Sequence, residues 1–160
     1  MPATLDDVAG LALAMPDVTE LDRRGSRTWV VAGKTFAWER PFSKADLRRF
    51  GDEAPPDGDI VAVRVSDLED KEAVLASEPR GFFTIPHFEG FAAVLIHLRT
   101  VPIRSLRVAV ADAWLACAPP RLADEHLAET ARNAPSRRRP GAVMPPEATK
   151  TGGSRRSSRA

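Results

Sequence analysis

The chain of 160 residues is long enough for one domain with a proper core, and its hydrophobic share of 43% is that of a globular protein. The single cysteine, Cys117, excludes an internal disulfide framework, and no run approaches the roughly 18 apolar residues that a membrane span requires. Asp6 and Asp7 stand where a secretory signal would carry a basic segment, so a reducing cytoplasm is the expected location.

The formal net charge of +1 conceals two segments of opposite sign. Residues 1–129 hold 15 basic and 21 acidic side chains, a balance of −6. Residues 130–160 hold eight basic side chains against Glu147 alone, a balance of +7. An acidic body is therefore followed by a basic C-terminal segment.

The start of the chain predicts a helix and a β-hairpin. Thr4 and Asp7 form a capping box for a helix that ends near Ala14, before a proline. Residues 28–32 and 35–39 are aromatic and β-branched, and a Gly-Lys pair separates them. This pattern predicts a hairpin, with the glycine at positive φ in a tight turn.

The middle of the chain predicts a loop and a third strand. Residues 40–58 are rich in proline and glycine, which indicates a long loop, and a short helix over residues 44–50 interrupts it. Residues 59–65 predict a strand in which three valines alternate with Ile60, Ala62 and Arg64.

The second half predicts three helices around an aromatic corner and a strand. Ser66, with Glu69 reaching back, is the expected N-cap of a helix that runs to about Ser77. The corner over residues 81–91 precedes a strand over residues 92–99. The next helix opens at a proline and presents an apolar stripe, and a last short helix follows a Pro-Pro pair. The residues of the stripe are Ile103, Leu106, Val110, Trp114 and Cys117.

This order of elements predicts an α+β domain over residues 3–130. We expect two layers, with a mainly antiparallel sheet of four to five strands and the helices packed on one face. Residues 131–160 are predicted to be a disordered basic tail, because their hydrophobic side chains are too sparse to offset the entropy of ordering.

Five segments, taken in order, resemble the MmcQ/YjbR family of small bacterial proteins over about residues 5–128. They are residues 11–20 (LALAMPDVTE), 30–37 (VVAGKTFA), 82–88 (FFTIPHF), 112–114 (DAW) and 118–122 (APPRL). The resemblance implies a compact α+β fold and the family label of a DNA-binding protein with a double-wing binding surface. The chain departs from the family pattern at Pro120, where the family has lysine, and in the basic segment beyond Arg132.

The candidate phosphate contacts are clustered cations, because counterion release from phosphates supplies most non-specific affinity. The expected wing contacts, in and before the hairpin, are Arg23, Arg24, Arg27 and Lys34. The expected non-specific anchors in the tail are Arg137, Arg138, Arg139, Arg155 and Arg156. Nearby carboxylates leave solvated surface charge as the competing interpretation of the wing cluster. The favoured partner is DNA or another polyanion, without sequence-specific readout, since no helix-turn-helix or zinc-finger pattern is visible.

The alternative function is a protein- or small-ligand-binding module that uses the aromatic corner, with Trp38, His87 and Phe88 as its patch. His87 lies beside Glu89, which suits either a proton carrier or a turn residue bonded to the backbone. No phosphate loop, dinucleotide fingerprint or nucleophile motif occurs, so we expect a non-catalytic protein without a cofactor. The histidines and the cysteine lack metal-ligand spacing, so no metal site is expected, and a monomer is the favoured state.

Overall fold

The computed structural model describes residues 1–54, 57–77 and 79–134. The five tail arginines that are expected to anchor polyanions therefore lie outside the described residues. Within that part of the chain the helices are α1 (Leu5–Leu13), α2 (Lys44–Phe50), α3 (Leu68–Ala76), α4 (Ile103–Cys117) and α5 (Pro120–Asn133). The strands are β1 (Val18–Arg23), β2 (Ser26–Val31), β3 (Lys34–Glu39), β4 (Ile60–Arg64), β5 (Phe82–Phe83) and β6 (Ala93–His97). A short 3-10 helix at Pro86–Phe88 lies in the aromatic corner.

The six strands form one open antiparallel sheet in the order β1-β2-β3-β4-β6-β5. The predicted α+β class and the mainly antiparallel sheet are confirmed, whereas the expected count of four to five strands was too low. Two strands lie outside the four that were predicted individually: the two-residue β5 and β1. Five of the six residues of β1 are exposed, so it lacks the alternation of apolar and polar residues that identifies a half-buried strand.

Two tight turns connect the first three strands. Arg24 and Gly25 join β1 to β2 with φ values of 54° and 84°, and Ala32 and Gly33 join β2 to β3 with 48° and 79°. Positive φ at both central residues is what a type I′ hairpin turn requires. The predicted hairpin is thus confirmed, with its turn one residue earlier than the expected Gly-Lys pair. Arg24 and Ala32 are unusual at such positions, which explains why the first turn escaped detection.

Helices α1 and α4 cover one face of the sheet, which we call the helix face. Trp29, Phe36 and Trp114 are fully buried there, and Trp114 Nε1 donates a 3.0 Å hydrogen bond to the carbonyl of Pro16. The predicted α4 stripe is buried from Leu106 onward, but Ile103 is 47% exposed because Val101, just before the helix, fills the core at that end. Helix α5 continues to Asn133, longer than expected.

The aromatic corner packs on the opposite face of the sheet, which we call the corner face. Ile85 and Phe88 bury the corner-face side chains of β4 and β6 in a second apolar cluster. Both faces of these two strands are therefore covered, and four of the five residues in each are buried. Over β2 and β3 the corner face instead forms the floor of a groove.

Side-chain caps begin three of the helices. The capping box of Thr4 and Asp7 is confirmed for α1. The prediction that Ser66 caps α3 was wrong by one residue: the carboxylate of Asp67 accepts the amide of Asp70 at 2.7 Å. Aspartate is as good an N-cap as serine, so two adjacent candidates competed for the role. The capping box of α2, formed by Ser43 and Asp46, was not predicted.

The ammonium of Lys71 holds the corner in place. Lys71, from α3, is 7% exposed, and its Nζ donates to the carbonyls of Phe88 at 2.6 Å and Phe91 at 2.8 Å. Burial lowers the pKa of Lys71, and the nearby carboxylate of Glu89 opposes that effect.

We predict that Lys71→Met lowers the free energy of unfolding by about 2 kcal/mol, because it keeps the apolar stem but leaves two carbonyl groups without their charged donor. Urea unfolding followed by circular dichroism measures the change. Lys44→Met is the matched control at an exposed lysine, and it should change stability little. Equal stabilities of the two variants would contradict the positioning role of Lys71.

A second buried charge, the carboxylate of Asp46, links α2 to the end of β3. Its carboxylate is 3% exposed and accepts the amide of Ser43 and the guanidinium of Arg40, each at 2.9 Å. Burial alone raises the pKa of Asp46, but the hydrogen bonds from Ser43 and Arg40 outweigh it and hold the pKa below 3.8.

We predict a pH-dependent contribution of Asp46 to stability. A carboxyl whose folded-state pKa lies below its unfolded value stabilises the fold above the unfolded pKa, and this stabilisation is lost as the pH falls through the lowered value. Asp46→Asn should therefore lower the free energy of unfolding at pH 7 by about 2 kcal/mol, and its difference from the wild type should shrink below pH 3.8. Asp52→Asn, at an exposed carboxylate, is the control; a difference for Asp46→Asn that does not change with pH would refute the assignment.

Candidate functional site

A groove of about 600 Å³ opens on the corner face, along β1, β2 and β3. We call it the arginine–aromatic groove after the six side chains that dominate it: Arg23, Arg24, Arg40, Arg64, Trp38 and Phe91. The rest of its polar lining consists of the hydroxyl groups of Ser26, Thr28 and Thr35 and one carboxylate, that of Glu39. The groove thus combines cations, aromatic rings and small hydrogen-bonding groups on one open surface.

Three aromatic rings form a cluster beside the groove. The ring centroid of Trp38 lies 6.2 Å from that of Phe88 and 6.3 Å from that of Phe91, and the centroids of Phe88 and Phe91 are 5.8 Å apart. Arginine side chains cover two of these rings: Arg40 lies 5.6 Å from the centroid of Phe88, and Arg64 lies 4.6 Å from that of Phe91. Such cation–π contacts restrain both guanidinium groups at the edge of the groove.

Arg64 is the arginine of the groove whose bonding is incomplete. Its Nε is buried, and neither that atom nor the rest of the guanidinium has a hydrogen-bond or ion-pair partner among the described residues. Arg40, by comparison, pairs with Asp46 and also donates to the carbonyl of Pro41. A half-buried guanidinium without an anion retains the capacity to bind one.

Two of the four expected wing cations lie in the groove. Arg23 ends β1, and its Nη1 donates a 3.0 Å hydrogen bond to Thr35 Oγ1. Arg24 follows in the tight turn, and both side chains are exposed. Arg23 and Arg24 therefore line the same groove as Arg64.

The other two expected wing cations lie elsewhere. Arg27 pairs with Asp6 of α1 at 2.8 Å and with Glu20 at 3.0 Å, and its guanidinium lies 5.6 Å from the ring centroid of Trp29 on the helix face. The hydrogen bond to Asp6 raises the pKa of Arg27 against the effect of burial, and Glu20 adds to it. Lys34 is exposed beside the turn at the other end of β2. The structure therefore does not bring the four cations together.

The expected aromatic patch is divided in a similar way. Trp38 lines the groove, Phe88 is buried beneath it, and His87 is exposed with its ring centroid 6.2 Å from Phe88. No hydrogen bond joins His87 to Glu89 or to another of the described residues. Only Trp38 of this patch is placed to contact a ligand in the groove.

The remaining candidate side chains have structural surroundings. His97 Nε2 contacts the carbonyl of Asp57, and the ring of His126 lies 4.9 Å from Trp114. Cys117 is buried as predicted; burial raises the pKa of its thiol, and its Sγ lies 3.8 Å from the carbonyl of Thr35. Across residues 1–54, 57–77 and 79–134, no group of three or more His, Cys, Asp or Glu side chains could hold a metal ion.

A second cavity, of about 380 Å³, lies between β4, α3 and α4. Its lining is mainly aliphatic, with Val63, Val74 and Val108 among the residues that form it. Asp70, Arg104 and Asp112 are at its rim or walls. The larger groove is more basic, because its lining holds four arginines and one carboxylate.

Sequence analysis missed Arg40, Arg64 and Phe91 as site residues. One signal was available for Arg64: it alternates in phase with Ile60 and Ala62, so it continues the corner face of β4. Arg40 follows β3 two positions after Trp38 and is held to β4 by its amide, which donates to the carbonyl of Ile60 at 2.8 Å. Strand periodicity therefore indicated that Arg64 lies on the corner face. Only the packing of the aromatic corner shows that Arg40 and Phe91 lie beside it.

The described helices include none that is long and apolar enough to cross a membrane.

Comparisons with known proteins identify the family of the chain. The family model YjbR matches residues 13–116, which run from the end of α1 almost to the end of α4 and include the whole groove. Uncharacterized proteins of Mycobacterium tuberculosis and Mycobacterium bovis are each 44% identical to the chain over 131 residues, which is 80% of this chain and 98% of the relative. No solved structure matches. The chain therefore belongs to the MmcQ/YjbR family.

Proposed function

We propose that this chain is a cytoplasmic, non-catalytic protein that binds nucleic acid through the arginine–aromatic groove, mainly by contacts to backbone phosphates. The observation that carries the proposal is the collection of four arginines on one open face of a body whose overall balance is acidic. Guanidinium groups match phosphate in both charge and geometry, since their planar donors bind two oxygens at once.

The chemistry of the groove favours binding over catalysis. A guanidinium keeps its proton in proteins, so the four arginines are suited to hold an anion and not to exchange protons with it. The hydroxyl groups of Thr28 and Thr35 are already engaged: Thr28 Oγ1 donates to the carbonyl of Ser26 at 3.3 Å, and Thr35 Oγ1 accepts from Arg23. The contact with Arg23 gives the hydroxyl of Thr35 a role in positioning that arginine.

The number of cations defines the salt dependence to expect. Arg40 is already paired with Asp46, so the count rests on Arg23, Arg24 and Arg64. If each of these three neutralises one phosphate, affinity should fall roughly 20-fold on a single strand and roughly 40-fold on a duplex between about 50 and 200 mM salt. Arg137, Arg138, Arg139, Arg155 and Arg156 are proposed as additional non-specific anchors, which would steepen that dependence. The favoured partner is DNA, and the phosphate chemistry applies to other polyanions as well.

We predict that replacing Arg23 and Arg24 together by alanine weakens binding and lowers the slope of log affinity against log salt by about 1.4 on a single strand or about 1.8 on a duplex. Fluorescence anisotropy of a labelled oligonucleotide with the full chain measures both quantities. The matched control is the double replacement of Arg48 and Arg49 by alanine, which removes two adjacent exposed arginines from α2. That control should leave the slope unchanged.

Equal losses in the two double variants would assign the affinity to overall charge and remove the groove from the proposal. A full-length variant with glutamine at the five tail arginines tests the anchors. It should bind more weakly than the wild type while keeping the sensitivity to Arg23 and Arg24. Complete loss of binding in that variant would assign the interaction to the tail alone.

The alternative is a protein- or small-ligand-binding module without a role in nucleic-acid binding. Exposed His87 and the partly exposed ring of Phe91, which is 37% accessible, support it. Absence of oligonucleotide binding by the wild-type chain at low salt would favour this alternative over the proposed function.

A further inference from the structure

The arginine–aromatic groove contains a stacking surface next to its anion-binding groups, and this pairing identifies a more specific ligand. Trp38 lines the groove together with Arg64, and the exposed ring of Phe91 lies between them in an edge contact with Trp38 at 68°. We propose, on the basis of the proposed function, that the groove binds single-stranded nucleic acid, with an unpaired base on Trp38 and a backbone phosphate on Arg64.

The accessibility of the tryptophans distinguishes Trp38 from the other two. Trp29 and Trp114 are 0% exposed in the core, whereas Trp38 is half-buried on the corner face. Its ring and that of Phe91 line the groove, so they provide an aromatic surface there instead of in the core. Every base has a flat π face, so such a surface binds unpaired bases with little regard to sequence.

Arg64 supplies the adjacent anion-binding group. Burying its Nε without a hydrogen-bond partner is unfavourable, and the contact with Phe91 does not satisfy that donor. A phosphate in the groove would accept from the Nη groups of this guanidinium, which also lack a partner among the described residues. The surroundings of Arg64 do not neutralise its charge, and an oxyanion beside Trp38 would supply the missing negative charge.

A paired duplex fits this surface less well than a single strand. The bases of a duplex stack on each other, so their faces are unavailable to Trp38, while the phosphates alone remain accessible to the arginines. Beyond the groove, the acidic balance of residues 1–129 disfavours a long, rigid polyanion along the body. A flexible strand can follow the groove and leave the acidic surface uncovered.

The spread of the arginines indicates a strand and not one free nucleotide. Arg24 lies in the turn between β1 and β2, and Arg64 ends β4, two strands further across the sheet. Neighbouring strands are about 4.8 Å apart, so the two backbone positions are separated by at least about 10 Å across the sheet. Phosphates linked in one backbone can give each of these arginines a bidentate contact of its own, whereas a single phosphate offers too few oxygens to do so.

The test uses the intrinsic fluorescence of the full chain. Trp38 is the tryptophan accessible to a ligand, so oligothymidylate that stacks on it should quench fluorescence, and a duplex of equal length should bind at least about tenfold more weakly with little quenching. Trp38→Leu should abolish the quenching and weaken single-strand binding by about tenfold or more. Trp38→Phe, which keeps an aromatic face, should retain most of the affinity.

Arg64→Met provides the second arm, with Arg107→Met as the matched control on the exposed surface of α4. We expect Arg64→Met to weaken single-strand binding by about tenfold or more and Arg107→Met to leave it unchanged. Thermal unfolding separates this role from a structural one: because the Nε of Arg64 is unsatisfied, Arg64→Met should be at least as stable as the wild type.

The outcomes distinguish this inference from the proposed function. Equal affinity for duplex and single strand, without quenching, would overturn the single-strand inference and leave phosphate binding by the groove intact. Binding of a free thymidine nucleotide as tightly as the oligomer would overturn the requirement for a strand. Absence of all nucleic-acid binding would overturn both proposals together.

Discussion

The groove depends on one buried contact, the ammonium of Lys71 bonded to two carbonyl groups of the aromatic corner. Those bonds hold the corner, with Phe88 and Phe91, against the strands β4 and β6. The corner covers this part of the sheet and borders the groove over β2 and β3. Because Arg40 and Arg64 make cation–π contacts with these two rings, the position of the corner determines where the two guanidinium groups lie.

The electrostatics of the body are governed by local pairing and not by its net charge. Arg27, Arg40, Arg99 and Arg121 each contact a carboxylate, which reduces their availability to an external anion. Arg64 has no such partner among the described residues, and its burial next to Phe91 limits competition from water. An acidic protein can therefore present a phosphate-binding surface, provided that its unpaired arginines are collected on one face.

The sequence predicted the fold more completely than the site, for physical reasons. The capping box of α1, the β2–β3 hairpin and the apolar stripe of α4 are local patterns, so they are visible along the chain. Predicting which of the wing cations share a face of the sheet requires the register of the strands. Arg27 lies on the helix face, three residues after Arg24. The register of β1 cannot be predicted from the sequence, because the side chains of β1 are mostly exposed and show no buried face. The groove itself results from contacts between distant residues, such as Arg64 with Phe91, that no local pattern encodes.

The two functions that the sequence leaves as alternatives meet at one surface in the structure. Nucleic-acid binding was predicted from cations that include Arg23 and Arg24, and a ligand module was predicted from the aromatic corner around His87, with Trp38 in its patch. Arg23, Arg24 and Trp38 line the same groove, whereas Arg27, Lys34 and His87 do not. A ligand that combines phosphate with an exposed aromatic face engages both at once, and an unpaired nucleotide strand is such a ligand. Under the proposed function, the aromatic corner belongs to the ligand surface, and its rings explain why arginine, which stacks on aromatic faces, occupies the positions beside it.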